Sequence, residues 1–191
     1  MSLIPLGFWA ASGGGAVGGS AYDLLASEIL TSSQASVTFS SLGSLAADYQ
    51  HLQIRMVTKD NLAGTNAMNT YLQFNGDTST NYSWHRISGN GSAVSSPSGT
   101  NSSESRVGLT AGASSTANAF AATVVDILDP FKTTKYTTSR GFTGLTSGNF
   151  VALYSSNWRN TAAIDSILID NEGAGSFITG SRFSLYGIKA A

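Results

Sequence analysis

Between positions 71 and 88 the chain reads Tyr-Leu-Gln-Phe-Asn-Gly-Asp-Thr-Ser-Thr-Asn-Tyr-Ser-Trp-His-Arg-Ile-Ser, and this stretch limits the fold more than any other. Leu72 and Phe74 alternate with Tyr71 and Gln73, the period-two pattern of a half-buried strand. Asn75-Gly-Asp follows at once, and these residues accept the positive φ angles that reverse a strand. The chain then resumes with Tyr82, Trp84 and Arg86 on one face and Ser83, His85 and Ile87 on the other. The segment reads as a hairpin with a polar loop, and its grammar recurs along the chain.

Strands are expected over 22–31, around Val37 and Phe39, over 52–57, from Arg106, and over 119–128, 136–142, 150–158, 164–169 and 183–188. Leu52, Ile54 and Met56 face one way while Gln53, Arg55 and Val57 face the other. Pro130 ends the 119–128 strand, because proline has no N–H for a ladder. Turns rich in Gly, Asn and Ser divide these runs at the roughly 8–12-residue spacing of sandwiches and barrels. Only residues 44–48, opening on Ser44, suggest a helical turn, and no helical period separates the strands, which argues against a parallel βαβ sheet. The expected fold is all-β, a jelly-roll-like antiparallel sandwich over 21–191 preceded by an arm over 1–20. The run 89–103, almost wholly Ser, Gly, Asn and Thr, has nothing to bury and reads as an exposed, mobile loop.

The arm begins with Leu3, Ile4, Leu6, Phe8 and Trp9 and continues into a glycine tract. It lacks a basic leader, and Pro5 and Gly7 break its apolar run, so it does not read as a signal peptide. It is also far shorter than the ~20 apolar residues that span a bilayer. An apolar tip on a flexible tether suits attachment to a neighbouring protein through Leu3, Ile4, Leu6, Phe8 and Trp9. The competing reading folds Phe8 and Trp9 back onto the domain's own core.

Charged residues form 11% of the chain and the net charge is −1, with no clustering of Lys and Arg. That argues against binding to nucleic acid or an anionic membrane by electrostatics. It also leaves little repulsion to hold copies apart. With apolar residues on both faces of the 150–154 and 183–188 strands, a homo-oligomer is expected, a trimer first. The absence of cysteine removes disulfides and thiolate metal sites.

No catalytic, cofactor or metal motif stands out. His51 and His85 fall on different strands without partners at ligand spacing. Asn75, Asp77, Ser79 and Asn81 resemble the first half of a calcium loop, but Thr80 replaces the required glycine and Arg86 the bidentate acid, so a plain polar turn is expected. Asp126, Asp129, Asp165, Asp170 and Glu104 each suit a strand end or turn, although a glycosidase would draw its acid pair from such residues. Tyr82, Trp84, Tyr154 and Trp158 read two ways, as sandwich core anchors or as a surface on which a glycan stacks.

Several pieces in fixed order resemble a recurrent family of tailed-bacteriophage virion proteins. They are Leu3-Ile-Pro-Leu-Gly-Phe-Trp-Ala-Ala-Ser-Gly-Gly-Gly, Ala35-Ser-Val-Thr-Phe-Ser-Ser, His51-Leu-Gln-Ile-Arg and Leu72-Gln-Phe-Asn-Gly-Asp with Asn81-Tyr-Ser-Trp-His-Arg. Asn157-Trp-Arg-Asn-Thr-Ala-Ala-Ile-Asp-Ser-Ile and Gly180-Ser-Arg-Phe-Ser-Leu-Tyr-Gly-Ile-Lys complete the set, so the similarity covers nearly the whole chain. The resemblance implies a non-enzymatic virion part, of the kind described as decoration, cement, head-fibre or tail-fibre-like proteins, and supplies no catalytic residues. A capsid decoration or head-fibre component contacting other virion proteins, such as the major capsid protein, is the leading expectation. A tail-associated module binding a host surface glycan is the alternative, and a free lectin or hydrolase a weaker third.

Overall fold

The computed structural model describes residues 2–4 and 21–189. In chain order the strands are β1 (Ser2–Ile4), β2 (Tyr22–Ile29), β3 (Ser36–Phe39), β4 (His51–Thr58), β5 (Ala67–Phe74), β6 (Tyr82–Gly89), β7 (Val94–Ser95), β8 (Ser98–Ser102), β9 (Ser105–Ala111), β10 (Ala121–Leu128), β11 (Thr137–Leu145), β12 (Phe150–Trp158), β13 (Ile167–Asn171) and β14 (Arg182–Ile188). The helical turn expected from Ser44 is a 3-10 turn at Leu42–Leu45, whose two leucines are buried.

The fold is the expected antiparallel β-sandwich. One sheet has five strands in the order β1-β3-β13-β5-β9. The other has nine, in the order β2-β14-β4-β10-β11-β12-β6-β7, with β8 also paired to β6. From β2 to β6 the chain changes sheet at every strand, the jelly-roll-like feature of the topology. All these pairings are antiparallel except β1 with β3, where Ser2, Leu3 and Ile4 run parallel to Val37, Thr38 and Phe39.

Alternation does what the sequence leads one to expect. Leu52, Ile54 and Met56 point inward from β4, Val125 and Ile127 from β10, Leu72 and Phe74 from β5, and Ile167 and Ile169 from β13. These belong to one core cluster, into which Phe177 and Phe183 pack edge to face at 4.9 Å. At the β6 side, Phe74, Tyr82 and Trp158 form an aromatic knot with centroids 5.5 to 6.4 Å apart.

Below β9 the interior changes character. Thr58 and Thr70 hydroxyls each meet Thr110 at 2.9 Å, and Thr123 meets Thr143 at 2.7 Å, all buried. Threonine fits a crowded pleat and its hydroxyl finds a partner, so polar groups are buried here in pairs. β9 also comes very close to the large sheet. A Cβ added to Gly141 would lie 1.8 Å from the Val107 carbonyl oxygen, so only glycine allows this approach.

The 89–103 run departs from expectation. It is not a free loop but folds back as β7 and β8 along the outer edge of β6. Arg86 N–H donates to the Pro97 carbonyl at 2.9 Å, and Arg159 reaches Asn101 Oδ1 at 2.8 Å. An otherwise open edge strand is thereby capped by residues too small and polar to show strand periodicity.

Candidate functional site

The outer face of the large sheet carries the most conspicuous surface feature among the described residues. Cross-strand register places Val124 opposite Phe142, Phe142 opposite Leu153, and Leu153 opposite Ile87. All four point away from the core; Phe142 and Leu153 are each 53% exposed and Ile87 52%. Val57, Ala122, Gly144 and Val151 form the neighbouring row in register. Period-two strands buried on one side ordinarily place polar residues on the other, so two adjacent apolar rows across several strands are an exception.

On the other side of the Val124–Ile87 row lie Gln53, Asp126, Arg140, Ser155 and His85, again in register. Asp126 accepts a 2.8 Å hydrogen bond from Gln53 Nε2, and Arg140 stands directly opposite Asp126. The face thus sets an apolar band beside Asp126 and Arg140, with the exposed Arg55 closing the Val124 row at its β4 end. The expectation of apolar residues on both faces is met in β12, where Val151 and Leu153 are exposed. In β14 it is met only weakly, since Tyr186 and Ile188 are half-buried.

The residues singled out in the arm are divided. Leu3 and Ile4 belong to β1, beside Thr38 and Phe39 of β3. Leu6, Phe8 and Trp9 lie outside the described residues.

Of the four aromatic candidates for glycan contact, Tyr82 and Trp158 are wholly buried and Tyr154 nearly so. Their rings offer no face to a sugar, because the small sheet and the aromatic knot cover them. Trp84 alone is half-buried, and it lies under the Arg106 guanidinium at 4.1 Å.

The 75–81 turn is organised around Asp77. Its carboxylate accepts hydrogen bonds from Trp158 Nε1 at 2.8 Å, Asn81 Nδ2 at 2.9 Å and the Ser79 N–H at 2.9 Å. Burial pushes the Asp77 pKa up, but the Asn81, Trp158 and Ser79 donors outweigh it and hold the group well below the usual carboxylate range. Both oxygens are engaged by donors, which gives the turn a structural task. Among the described residues no group of three or more His, Asp and Glu is placed to hold a metal ion.

The other titratable candidates serve local structure. His51 Nδ1 accepts the Asp129 N–H at 3.0 Å, and the Asp129 carboxylate pairs with Lys135. Asp165 Oδ1 accepts the Gly43 N–H at 2.9 Å. Glu104 and Asp170 are the acids with raised pKa values. Burial raises both, and the Asp170 charge raises Glu104 further. A surface concavity lined by Tyr49, Gln50, Phe131 and Lys132 has one carboxylate, Asp48, where glycoside hydrolysis takes two.

No known family model matches the chain, and no curated protein is significantly similar to it.

Proposed function

We propose that this chain is a non-enzymatic structural component of a bacteriophage virion, a capsid decoration or head-fibre protein that assembles with copies of itself and with other virion proteins. The ordered motifs from Leu3 to Lys189 that resemble virion proteins support the placement on a particle. The observation that carries the assembly role is the exposed row Val124, Phe142, Leu153 and Ile87 on a charge-poor sandwich. Burying the exposed half of each such side chain is worth on the order of 1 kcal/mol. Val57, Ile87, Val124, Phe142, Val151 and Leu153 together contribute about 6 kcal/mol per copy toward the cost of association. Attachment to the particle falls to the arm, through Leu3, Ile4, Leu6, Phe8 and Trp9. A glycan-binding role on the tail has a narrower basis, the half-buried ring of Trp84 under Arg106.

The test is co-sedimentation of purified protein with particles stripped of the native chain, alongside its mass in solution by light scattering. The proposal expects an oligomer, a trimer being the first stoichiometry to look for, and saturable binding to particles that is lost when residues 1–20 are removed. A clean monomer of 19.7 kDa that ignores particles would overturn it.

A further inference from the structure

The two outer faces of the sandwich carry opposite charge. On the large sheet Arg182, Arg55 and Arg140 are all exposed and run obliquely across β14, β4 and β11. Arg55 is held in place by Tyr186, whose ring centre lies 4.7 Å from the guanidinium, and by its own Nε donating to Gln53 Oε1 at 2.8 Å. Among the described residues the one acid in these outward rows is Asp126, which already accepts from Gln53. On the small sheet Asp170 stands opposite Tyr71, and Glu172, two residues further on, accepts from the Asn69 side chain. Glu104 joins the outward Gln73 at 3.2 Å. The base beside them, Arg106, is drawn onto the Trp84 ring at 4.1 Å.

None of these three arginines and three acids takes part in an ion pair among the described residues. A chain with only 10 basic and 11 acidic residues thus sets three cations on one side and three anions on the other, all without a counter-ion. The acids share one patch: burial raises the Glu104 pKa first, and the Asp170 and Glu172 charges raise it further. The spacings also agree. Arg140 lies two strands across and two residues along from Arg55, through the pairs Arg55–Val124 and Val124–Phe142. Glu104 lies two strands across from Asp170, beside Gln73, which is two residues along from Tyr71. Both separations come to about 12 Å. On the other side of each middle residue, Arg182, opposite Val57, and Glu172 complete the sets at about 7–8 Å.

We propose that copies of this chain associate head to tail, the large-sheet face of one against the small-sheet face of the next, with Arg182, Arg55 and Arg140 set against Glu172, Asp170 and Glu104. The inference rests on the self-association proposed above and names the two surfaces that meet. Two large-sheet faces brought together would oppose three arginines to three arginines, with Asp126 the one acid on each side, and such like-charge contacts suppress a pairing. The small-sheet face supplies the missing acids. Its Leu168 and Tyr71, both half-buried, give the Val124–Phe142 row part-exposed side chains to cover. A contact between two different faces is heterologous, so the copies at either end keep one free face each. Mass then rises with concentration instead of stopping at a two-fold dimer.

The experiment is sedimentation velocity of the full-length protein over a range of micromolar concentrations, comparing three variants with wild type. Arg55→Glu with Arg140→Glu reverses the large-sheet face, and Asp170→Lys with Glu172→Lys reverses the small-sheet face. Each pair should weaken self-association by about tenfold or more. The chain carrying all four changes should recover most of the lost affinity, because its reversed faces match again. Where a pair loses its fold in a thermal melt, Arg140→Glu and Glu172→Lys, both at exposed positions, replace it singly and together. A wild-type oligomer unmoved by either reversal would overturn the assignment. So would loss of association on the large-sheet reversal alone, the mark of two large sheets meeting, or a quadruple variant as weak as the pairs. A wild-type chain that stays monomeric at every concentration would overturn both this contact and the self-association beneath it.

Discussion

Trp158 donates its indole N–H to Asp77 Oδ2 at 2.8 Å across 81 residues of chain, tying the central hairpin turn to the end of β12. Tyr82 reinforces the link by donating its hydroxyl to the Asp77 carbonyl at 3.0 Å while accepting the Phe74 N–H at 3.1 Å. Asp77→Ala should therefore cost about 1–3 kcal/mol by leaving a buried indole donor unsatisfied. Urea denaturation checks this. Trp158→Phe combined with Asp77→Ala should cost less than the sum of the two single changes, and strict additivity would mean that the bond carries no coupling.

The same carboxylate should make stability depend on acid. Its pKa is depressed in the folded chain, so its contribution is fully present above the unfolded value of about 3.9 and fades as pH falls toward the folded one. The stability gap between wild type and Asp77→Asn should be wide at neutral pH and narrow progressively below about pH 5. A gap of constant width from neutral to strongly acid solution would contradict this.

Gly141 and Gly144 lie on the same strand and should respond oppositely to alanine. At Gly141 a Cβ would meet the Val107 carbonyl, so Gly141→Ala should destabilise by about 3 kcal/mol as β9 is pushed off the large sheet. At Gly144 nothing lies within 4 Å, so Gly144→Ala should be neutral or stabilising by about 0.5–1 kcal/mol. Thermal melts of the two proteins decide it.

Leu153→Arg should separate folding from assembly. The side chain is exposed and sits in the middle of the apolar row, so the change should alter intrinsic stability by no more than about 0.5 kcal/mol. It should nevertheless reduce the mass in solution to that of one chain. An oligomer that survives Leu153→Arg and Phe142→Glu together uses another surface.

Replacing 92–103 with a short glycine-serine bridge should do harm. β8 covers Trp84 so closely that a Cβ on Gly99 would lie 2.5 Å from the indole nitrogen, and β7 and β8 close the edge of β6. Removing them should lower the melting temperature and promote aggregation through the bared edge. An unchanged melt would return the stretch to the status of a simple loop.

Strands with one wet and one dry face were legible in the sequence. β4 and β12 follow their alternation, and Leu52, Ile54 and Met56 face inward as their spacing requires. What stayed hidden depended on partners distant in the chain. β7 and β8 have no apolar rhythm because β6 supplies their pairing. Thr58, Thr70, Thr110, Thr123 and Thr143 look like solvent-facing residues until the second sheet brings their hydroxyls together. Trp84 and Trp158 are alike in sequence. They differ only because the small sheet ends at β9, covering one ring and leaving the other part-open, a fact of topology that no local pattern contains.

The interior that is aliphatic and aromatic at one end and threonine-lined at the other should behave unevenly with temperature. Apolar burial weakens on cooling and carries a large positive heat capacity of unfolding, while exposure of polar groups reduces that heat capacity. The end built on Phe74, Tyr82 and Trp158 should loosen first in the cold, and the end held by paired threonine hydroxyls should keep its amide protons longest there. Near freezing, hydrogen exchange would then find the sandwich opening from its greasiest corner.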